Sequence, residues 1–234
     1  MNFLRKLFGG KNTAVGNANP RDPEPAKAGS GKTSDEFLVR VLFADFSNES
    51  EVLKLFPELA RPLENQQTEE IIRILREKTK DPESRKALLA WYELQKYGIF
   101  PDEENADKIL GIVVEASLER GIDYLAAYPD NAARYFNQRG AKIYYESAEY
   151  SQVNEEIGKL VLCAYRVYKC FDKIAEKRLE PLPVGTGQAR INILTPGGLY
   201  IRPGNMNDLQ SNEPTRDIIS QAVALMRALM NLSS

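Results

Sequence analysis

The side chains best suited to chemistry lie close together in the middle of the chain. Asp123 and Asp130 carry carboxylates that can accept or donate protons, and the guanidinium group of Arg134 can hold an anion. Other residues of the same segment add hydroxyl and amide groups. The sequence therefore indicates one candidate site for binding a ligand or a partner, made of Asp123, Tyr128, Asp130, Arg134, Tyr135 and Asn137.

Histidine is absent from the sequence. Its absence excludes Ser-His-acid and Cys-His nucleophile systems and imidazole ligation of a metal ion. Asp130, Asn131, Asn137 and Gly140 also suit tight turns, so the candidate segment has a purely structural interpretation as well. We assign no catalytic residue, cofactor or metal ion and favour a noncatalytic protein. The alternative is a histidine-free enzyme or small-ligand binder that uses the carboxylate and arginine groups of residues 123–140.

The candidate residues lie in a region that is predicted to form four consecutive strands. Turn-forming residues interrupt the region at three places, and apolar and polar residues alternate between them. Connections this short cannot carry a parallel crossover, so neighbouring strands are expected to be antiparallel. The first strand has no polar interruption at its centre, which indicates a central place in the sheet or apolar cover on both faces. The predicted strands are 109–117, 122–128, 133–137 and 142–146.

Two long helices and a hairpin are predicted after these strands. Apolar residues recur at helical spacing over residues 153–174, and Pro214 begins a second helix with a broad apolar face. Between them, a turn of Pro and Gly divides residues 189–202 into two short strands. These elements predict an α+β fold, in which an antiparallel meander sheet of about six strands packs with two long C-terminal helices and follows a helical section.

The chain is predicted to have three parts. Residues 1–33 contain six basic and two acidic side chains, among Gly, Asn, Pro and Ala residues that bury little surface. This composition is typical of a flexible basic tether. Residues 34–98 repeat the apolar spacing of helices and form the helical section, and residues 99–234 form the α+β domain.

Two short patterns lie within the tether. Residues 1–8 combine Phe3, Leu4, Leu7 and Phe8 with Arg5 and Lys6, a pattern that predicts weak peripheral contact with a membrane or a partner. Residues 26–33 match a relaxed phosphate-loop pattern in which Ala26 replaces the first Gly. Because prolines rather than a buried strand precede the pattern, we do not expect it to bind nucleotide.

Composition and cysteine spacing predict a cytoplasmic protein. No apolar run reaches the roughly 18 residues that a membrane-spanning helix needs, and the first ten residues are too charged for a secretory signal. Cys163 and Cys170 have no C-x-x-C spacing, which argues against structural zinc and for a reducing compartment. Both fall within one predicted helix, where their spacing along the axis is too large for a disulfide.

Tyrosine is concentrated in the predicted strands, and a tyrosine-bearing sheet could stack nucleic-acid bases. Residues 108–147, however, contain five basic and five acidic side chains. Because this balance leaves no positive surplus to attract phosphates, we expect no nucleic-acid partner. The tyrosines are better explained by packing between the sheet and its helices.

A spaced set of residues runs through the same strands, from Asp123 to Gly140. Its pattern is D-x-L-A-x-Y-x-D followed by R-Y-x-N-x-x-G. In this segment the chain resembles a group of uncharacterised bacterial proteins, and the resemblance covers most of the chain after the helical section. It implies a bacterial protein but no activity, ligand or catalytic residue. The missing catalytic signatures favour a protein-interaction or accessory role in which the partner is another protein.

Overall fold

The computed structural model describes residues 31–46, 48–146 and 149–232. Within them, seven strands form one antiparallel sheet in the order β4-β3-β2-β1-β6-β7-β5. The α+β class and the antiparallel sheet are as predicted. The strands are β1 Gly111–Leu118, β2 Gly121–Ala127, β3 Ala133–Phe136, β4 Lys142–Tyr145, β5 Asp172–Ile174, β6 Gln188–Thr195 and β7 Gly198–Asn205.

The first four strands form the predicted meander, because each pairs with the next in sequence. The turn between β2 and β3 has Asn131 at φ 64°, and the turn between β3 and β4 has Gly140 at φ 88°. Both values lie in the left-handed region, which Asn and Gly adopt more readily than other residues. The turn residues therefore fix the register, in which Val113 lies opposite Ala126 and Leu125 lies opposite Tyr135.

Helices precede and follow the meander. Six lie before β1, one follows β4, and two follow β7 in the described residues; single 3-10 turns lie at Pro57–Leu59 and Tyr168–Cys170. The α-helices are α1 Gly31–Leu42, α2 Glu49–Leu55, α3 Ala60–Glu64, α4 Thr68–Lys78, α5 Ser84–Lys96, α6 Glu103–Ala106, α7 Ser151–Val167, α8 Met206–Ser211 and α9 Glu213–Leu232.

The sheet is covered on both faces. The two long C-terminal helices, α7 and α9, pack on the face that carries Ile112, Leu125 and Tyr135, which we call the C-terminal face. The N-terminal helices pack on the opposite face, the N-terminal face, which carries Val113 and Tyr128. This double cover explains the uninterrupted apolar centre of β1, which is the fourth of the seven strands.

Two expectations about the region after the meander were wrong, namely the extent of the first long helix and the position of both cysteines within it. The sheet has seven strands, because the helix that begins at Ser151 ends at Val167 instead of continuing to Ile174. Beyond it, Tyr168 packs edge-on against the ring of Tyr200 at 5.0 Å, and β5 pairs with β7. Tertiary pairing with β7 thus overrides the helical spacing. Cys163 and Cys170 consequently do not share one helix, although both are free thiols.

Most of the predicted tether lies outside the described residues. This applies to residues 1–30, and therefore to the predicted contact through residues 1–8 and to most of the phosphate-loop pattern. The described chain begins with α1 at Gly31, three residues before the predicted start of the helical section at Ser34. None of the helices in the described ranges combines the length and the apolar character that crossing a membrane requires.

The hairpin between β6 and β7 provides a test of this fold. Gly198 has φ +123°, and a Cβ atom there would lie 2.2 Å from the carbonyl oxygen of Ile174. We expect Gly198→Ala to lower the free energy of unfolding by at least about 2 kcal/mol, measured by urea denaturation. Gly140→Ala is the matched control, since Gly140 also has positive φ but no atom within 4 Å of the added Cβ. It should cost about 1 kcal/mol, and equal losses in the two variants would contradict the hairpin geometry.

Candidate functional site

The six candidate residues do not converge on one site. Strand alternation places Asp123 and Tyr135 on the C-terminal face, and Tyr128 and Arg134 on the N-terminal face. The other two, Asp130 and Asn137, lie in the turns before and after β3. The structure therefore brings Asp123 to Tyr135 but separates this pair from Arg134 by the thickness of the sheet.

Asp123 and Tyr135 form a buried hydrogen-bonded pair. The Tyr135 hydroxyl donates to Asp123 Oδ2 at 2.7 Å, and the backbone N–H of Gln138 donates to Asp123 Oδ1 at 2.8 Å. Burial raises the pKa of Asp123, although both donors favour its charged form. The pair lines one end of an otherwise apolar cavity beneath α9, whose remaining walls are Val114, Ala116, Leu125, Met206, Ile219, Ala222, Val223 and Met226.

The size of this cavity limits what it can hold. Its volume is about 40 Å³, whereas ligand pockets in proteins usually have volumes of about 300 to 1,000 Å³. One water molecule needs at least about 10 to 15 Å³ of such space. The cavity can therefore hold a few waters or a very small ligand, and the Asp123 carboxylate has no room for a substrate of ordinary size.

The two turn residues bind backbone groups. Asp130 Oδ2 accepts the N–H of Ser84, the first residue of α5, at 2.7 Å, and its Oδ1 accepts the N–H of Ala132 at 3.1 Å. Asn137 Oδ1 accepts the N–H groups of Arg139 and Ala141 at 2.9 and 3.0 Å. These contacts support the turn interpretation of the sequence pattern, and Asp130 also provides the start of α5 with a cap from another element.

Tyr128 and Arg134 bind neighbouring elements on the N-terminal face. The Tyr128 hydroxyl donates to the carbonyl oxygen of Leu42 at 2.8 Å, and burial raises the pKa of this tyrosine. Arg134 forms an ion pair with Glu146 and lies 5.0 Å from the centre of the Tyr144 ring. The network continues to α5, because Arg85 donates to the same Glu146 oxygen at 3.0 Å. It therefore links β3, β4 and α5.

An open groove next to this network was not anticipated from the sequence. It has a volume of about 200 Å³ and lies between α1, α2 and the start of α5. Its lining combines four apolar side chains, which we call its floor, with Lys54, Arg85, Lys86 and two glutamates, which we call its rim. The residues that line this groove, which we call the α1–α5 groove, are Phe37, Val41, Phe46, Glu51, Lys54, Leu55, Glu83, Arg85 and Lys86.

The glutamates of the α1–α5 groove are engaged by basic side chains. Glu51 binds Arg40 at 2.8 Å, and Glu83 binds both Arg85 and Lys86 at 2.8 and 2.9 Å. The hydrogen bond with Glu83 raises the pKa of Lys86, so this amine stays charged at neutral pH. The lining of the groove thus contains four apolar, three basic and two acidic side chains, an excess of one positive charge.

A third polar cluster lies at the centre of the sheet. Arg190 binds the buried Glu115 through two hydrogen bonds of 2.9 and 3.0 Å, and it donates to the carbonyl oxygen of Glu180 at 2.8 Å. Asn192 donates to Glu115 and to the carbonyl oxygen of Val113. Burial raises the pKa of Glu115, while Arg190 and Asn192 favour its charged form. The cluster attaches the loop before β6 to the sheet and leaves both carboxylate oxygens occupied.

Comparison with known proteins adds no assignment to this geometry. No protein-family model, curated protein or solved structure matches the chain. In residues 31–46, 48–146 and 149–232, no three Cys, Asp or Glu side chains are grouped so that they could hold a metal ion. The polar clusters, the cavity and the α1–α5 groove are therefore the features of the molecule that bear on its function.

The raised pKa of Asp123 predicts a specific pH dependence of stability. The folded protein binds this proton more tightly than the unfolded chain, so the wild type should lose stability relative to Asp123→Asn as pH rises from below 3.8 through the raised pKa. Asparagine can keep both contacts, with its oxygen accepting from Gln138 and its amide donating to the Tyr135 oxygen. Urea unfolding of both proteins across this pH range measures the difference, and a constant difference would contradict the assignment.

The Glu115–Arg190 pair predicts a strong coupling in stability. Arg190→Met leaves a buried carboxylate without its cation, and we expect it to lower the free energy of unfolding by about 3 to 5 kcal/mol. Adding Glu115→Leu removes the stranded charge and should recover most of that loss. Chemical denaturation of the wild type, both single variants and the double variant gives the coupling energy. Additive effects of the two substitutions would show that the pair does not act as a unit.

Proposed function

We propose that this chain is a noncatalytic protein-interaction module and that the α1–α5 groove binds a segment of a partner protein that has both apolar and acidic side chains. The observation that carries the proposal is the composition of the groove, whose lining has four apolar side chains and more basic than acidic ones. Grooves of this kind bind amphipathic segments, whose apolar side chains enter the groove while polar ones stay at the rim. The partner is therefore defined by its chemistry, as a segment with apolar anchors flanked by Asp or Glu.

The apolar floor supports binding through a few anchor side chains. Phe37 is 37% exposed although it follows the apolar spacing of α1, and Val41, Phe46 and Leu55 are each only half-buried. Apolar surface in a concave site gains stability when a partner removes it from water. A volume of about 200 Å³ suits individual side chains better than a complete small ligand.

The rim supports an acidic partner. Lys54, Arg85 and Lys86 belong to the lining of the groove, and its two glutamates already bind basic neighbours. Carboxylates on a partner would meet an excess of positive charge, which mainly increases the rate of association and the specificity. Binding should accordingly weaken as the salt concentration rises, because screening acts on exposed charges.

A small-ligand binder or a histidine-free enzyme is the second candidate function. One observation favours it, since Asp123 has a raised pKa and lines an apolar cavity with Tyr135. Against it, the cavity is small, and Arg134, the proposed anion clamp, lies on the opposite face with Glu146 as its partner. We therefore rank this function below the protein-interaction role.

The cellular compartment and the source of the protein are part of the same proposal. We infer a cytoplasmic bacterial protein of the group with the Asp123–Gly140 pattern, and the two free thiols are consistent with a reducing compartment. Nucleic acid is not the expected partner. The tyrosines that could stack bases are mostly buried under helices, among them Tyr124, Tyr128 and Tyr135.

Copurification of the tagged full chain from a bacterial lysate, followed by mass spectrometry, tests the groove. We expect Phe37→Ser, which removes an anchor, and Lys54→Glu, which reverses a rim charge, to reduce recovery of a bound protein by about tenfold. Leu162→Ser is the matched control, because Leu162 is also an apolar residue with an exposed side chain, 50% against 37% for Phe37, but belongs to α7. A partner retained by both groove variants would contradict the proposed site, and a copurifying small molecule lost in Asp123→Asn would favour the second function.

A further inference from the structure

Strand β4 forms one edge of the sheet, and no strand in the described part of the chain pairs with its outer side. The hairpin before it fixes which backbone groups point outward. Asn137 N–H donates to the carbonyl oxygen of Ala141, and Gly140 N–H donates to that of Asn137. From this closed end, hydrogen-bonded and non-hydrogen-bonded pairs alternate along the β3–β4 ladder. Ile143 and Tyr145 thus bond to β3, and the backbone N–H and C=O of Tyr144 point away from the sheet.

The sequence of this edge is complementary to itself. Residues 142–146 are Lys-Ile-Tyr-Tyr-Glu. If two copies align antiparallel with Tyr144 opposite Tyr144, each Lys142 lies opposite a Glu146 and each Ile143 lies opposite a Tyr145. Opposite charges, and an aromatic next to a β-branched residue, are the cross-strand neighbours that stabilise antiparallel pairs. The same register brings the outward backbone groups of Tyr144 in both copies face to face.

We propose that the occupant of this edge is a second copy of the chain, which pairs β4 with β4 around a two-fold axis at Tyr144. A two-fold interface uses the same surface on both copies, so a self-complementary strand satisfies its symmetry. Pairing closes an edge that would otherwise present unbonded backbone groups. The sheets of the two copies then form one continuous antiparallel sheet.

Side chains on both faces of the edge extend the interface beyond the backbone. Tyr144 is 49% exposed on the N-terminal face, where its ring lies over Arg134. Tyr150 is 51% exposed and lies against the ring of Tyr145, on the C-terminal face. Glu146, already between Arg85 and Arg134, receives a third cation from Lys142 of the second copy. Aromatic residues are enriched at interfaces because they bury a large area at low entropic cost.

This inference does not depend on the α1–α5 groove. A two-stranded edge interface is small, so we expect dissociation in the micromolar range. Multi-angle light scattering on the full chain, at concentrations up to about 100 μM, should show a mass that rises towards twice 26.4 kDa. Hydrogen exchange on the same samples should show that the Tyr144 amide becomes protected as the concentration rises. A monomer over this whole range would overturn the proposal.

Two variants and one control locate the interface. Lys142→Glu places like charges opposite each other twice in the two-fold pair and should weaken dimerisation by about tenfold, with partial recovery at high salt. Tyr144→Pro removes an N–H that points away from the sheet, so it should abolish dimerisation while the far-ultraviolet circular dichroism stays unchanged. Lys80→Glu has the same charge change outside the edge and should leave dimerisation as in the wild type. A dimer that persists in both edge variants, or that is lost equally in Lys80→Glu, would overturn the proposal.

Discussion

Burial of the sheet on both faces is the constraint on which the other features of this structure depend. Water does not reach the sheet interior, so a polar group placed there needs a partner within the protein. Glu115 and Arg190 satisfy each other, Asp123 takes two donors, and Tyr128 donates to the backbone of α1. Asp123 and Tyr128, which belong to the candidate binding site of the sequence, therefore take part in hydrogen bonds inside a three-layer structure.

The same constraint shows where a partner can bind. The buried polar groups of Glu115, Asp123 and Tyr128 are engaged within the protein, whereas the α1–α5 groove and the β4 edge have apolar side chains that are exposed or only half-buried. Arg85 lies between the two regions, because it lines the groove, binds Glu146 and lies 5.4 Å from the centre of the Tyr128 ring. Its position relative to the sheet is thus held from several sides, which favours a preorganised rim.

Features that depend on local sequence could be predicted well. Turn residues such as Asn131 and Gly140 set the meander, and the strand period of two places Tyr124, Ala126 and Tyr128 on one face. Strand β5 could not be predicted, since its three residues continue a helical spacing and become a strand only through pairing with β7.

The α1–α5 groove could not be predicted either, because it also depends on tertiary structure. Phe37 and Val41 belong to the apolar stripe that predicts α1, but a stripe does not reveal which of its members the core leaves uncovered.

The position of β1 affects how the chain can be made. Its Val114 pairs with Leu125 on one side and with Ile191 on the other. During synthesis on the ribosome, the first partner follows β1 almost immediately, whereas the second emerges only after α7 and the loop that leads to β6. Until then the nascent chain has a hydrophobic strand with one unbonded side, the kind of surface that molecular chaperones protect from aggregation. The sheet is consequently completed late in synthesis and folding, and this timing is set by topology rather than by local stability.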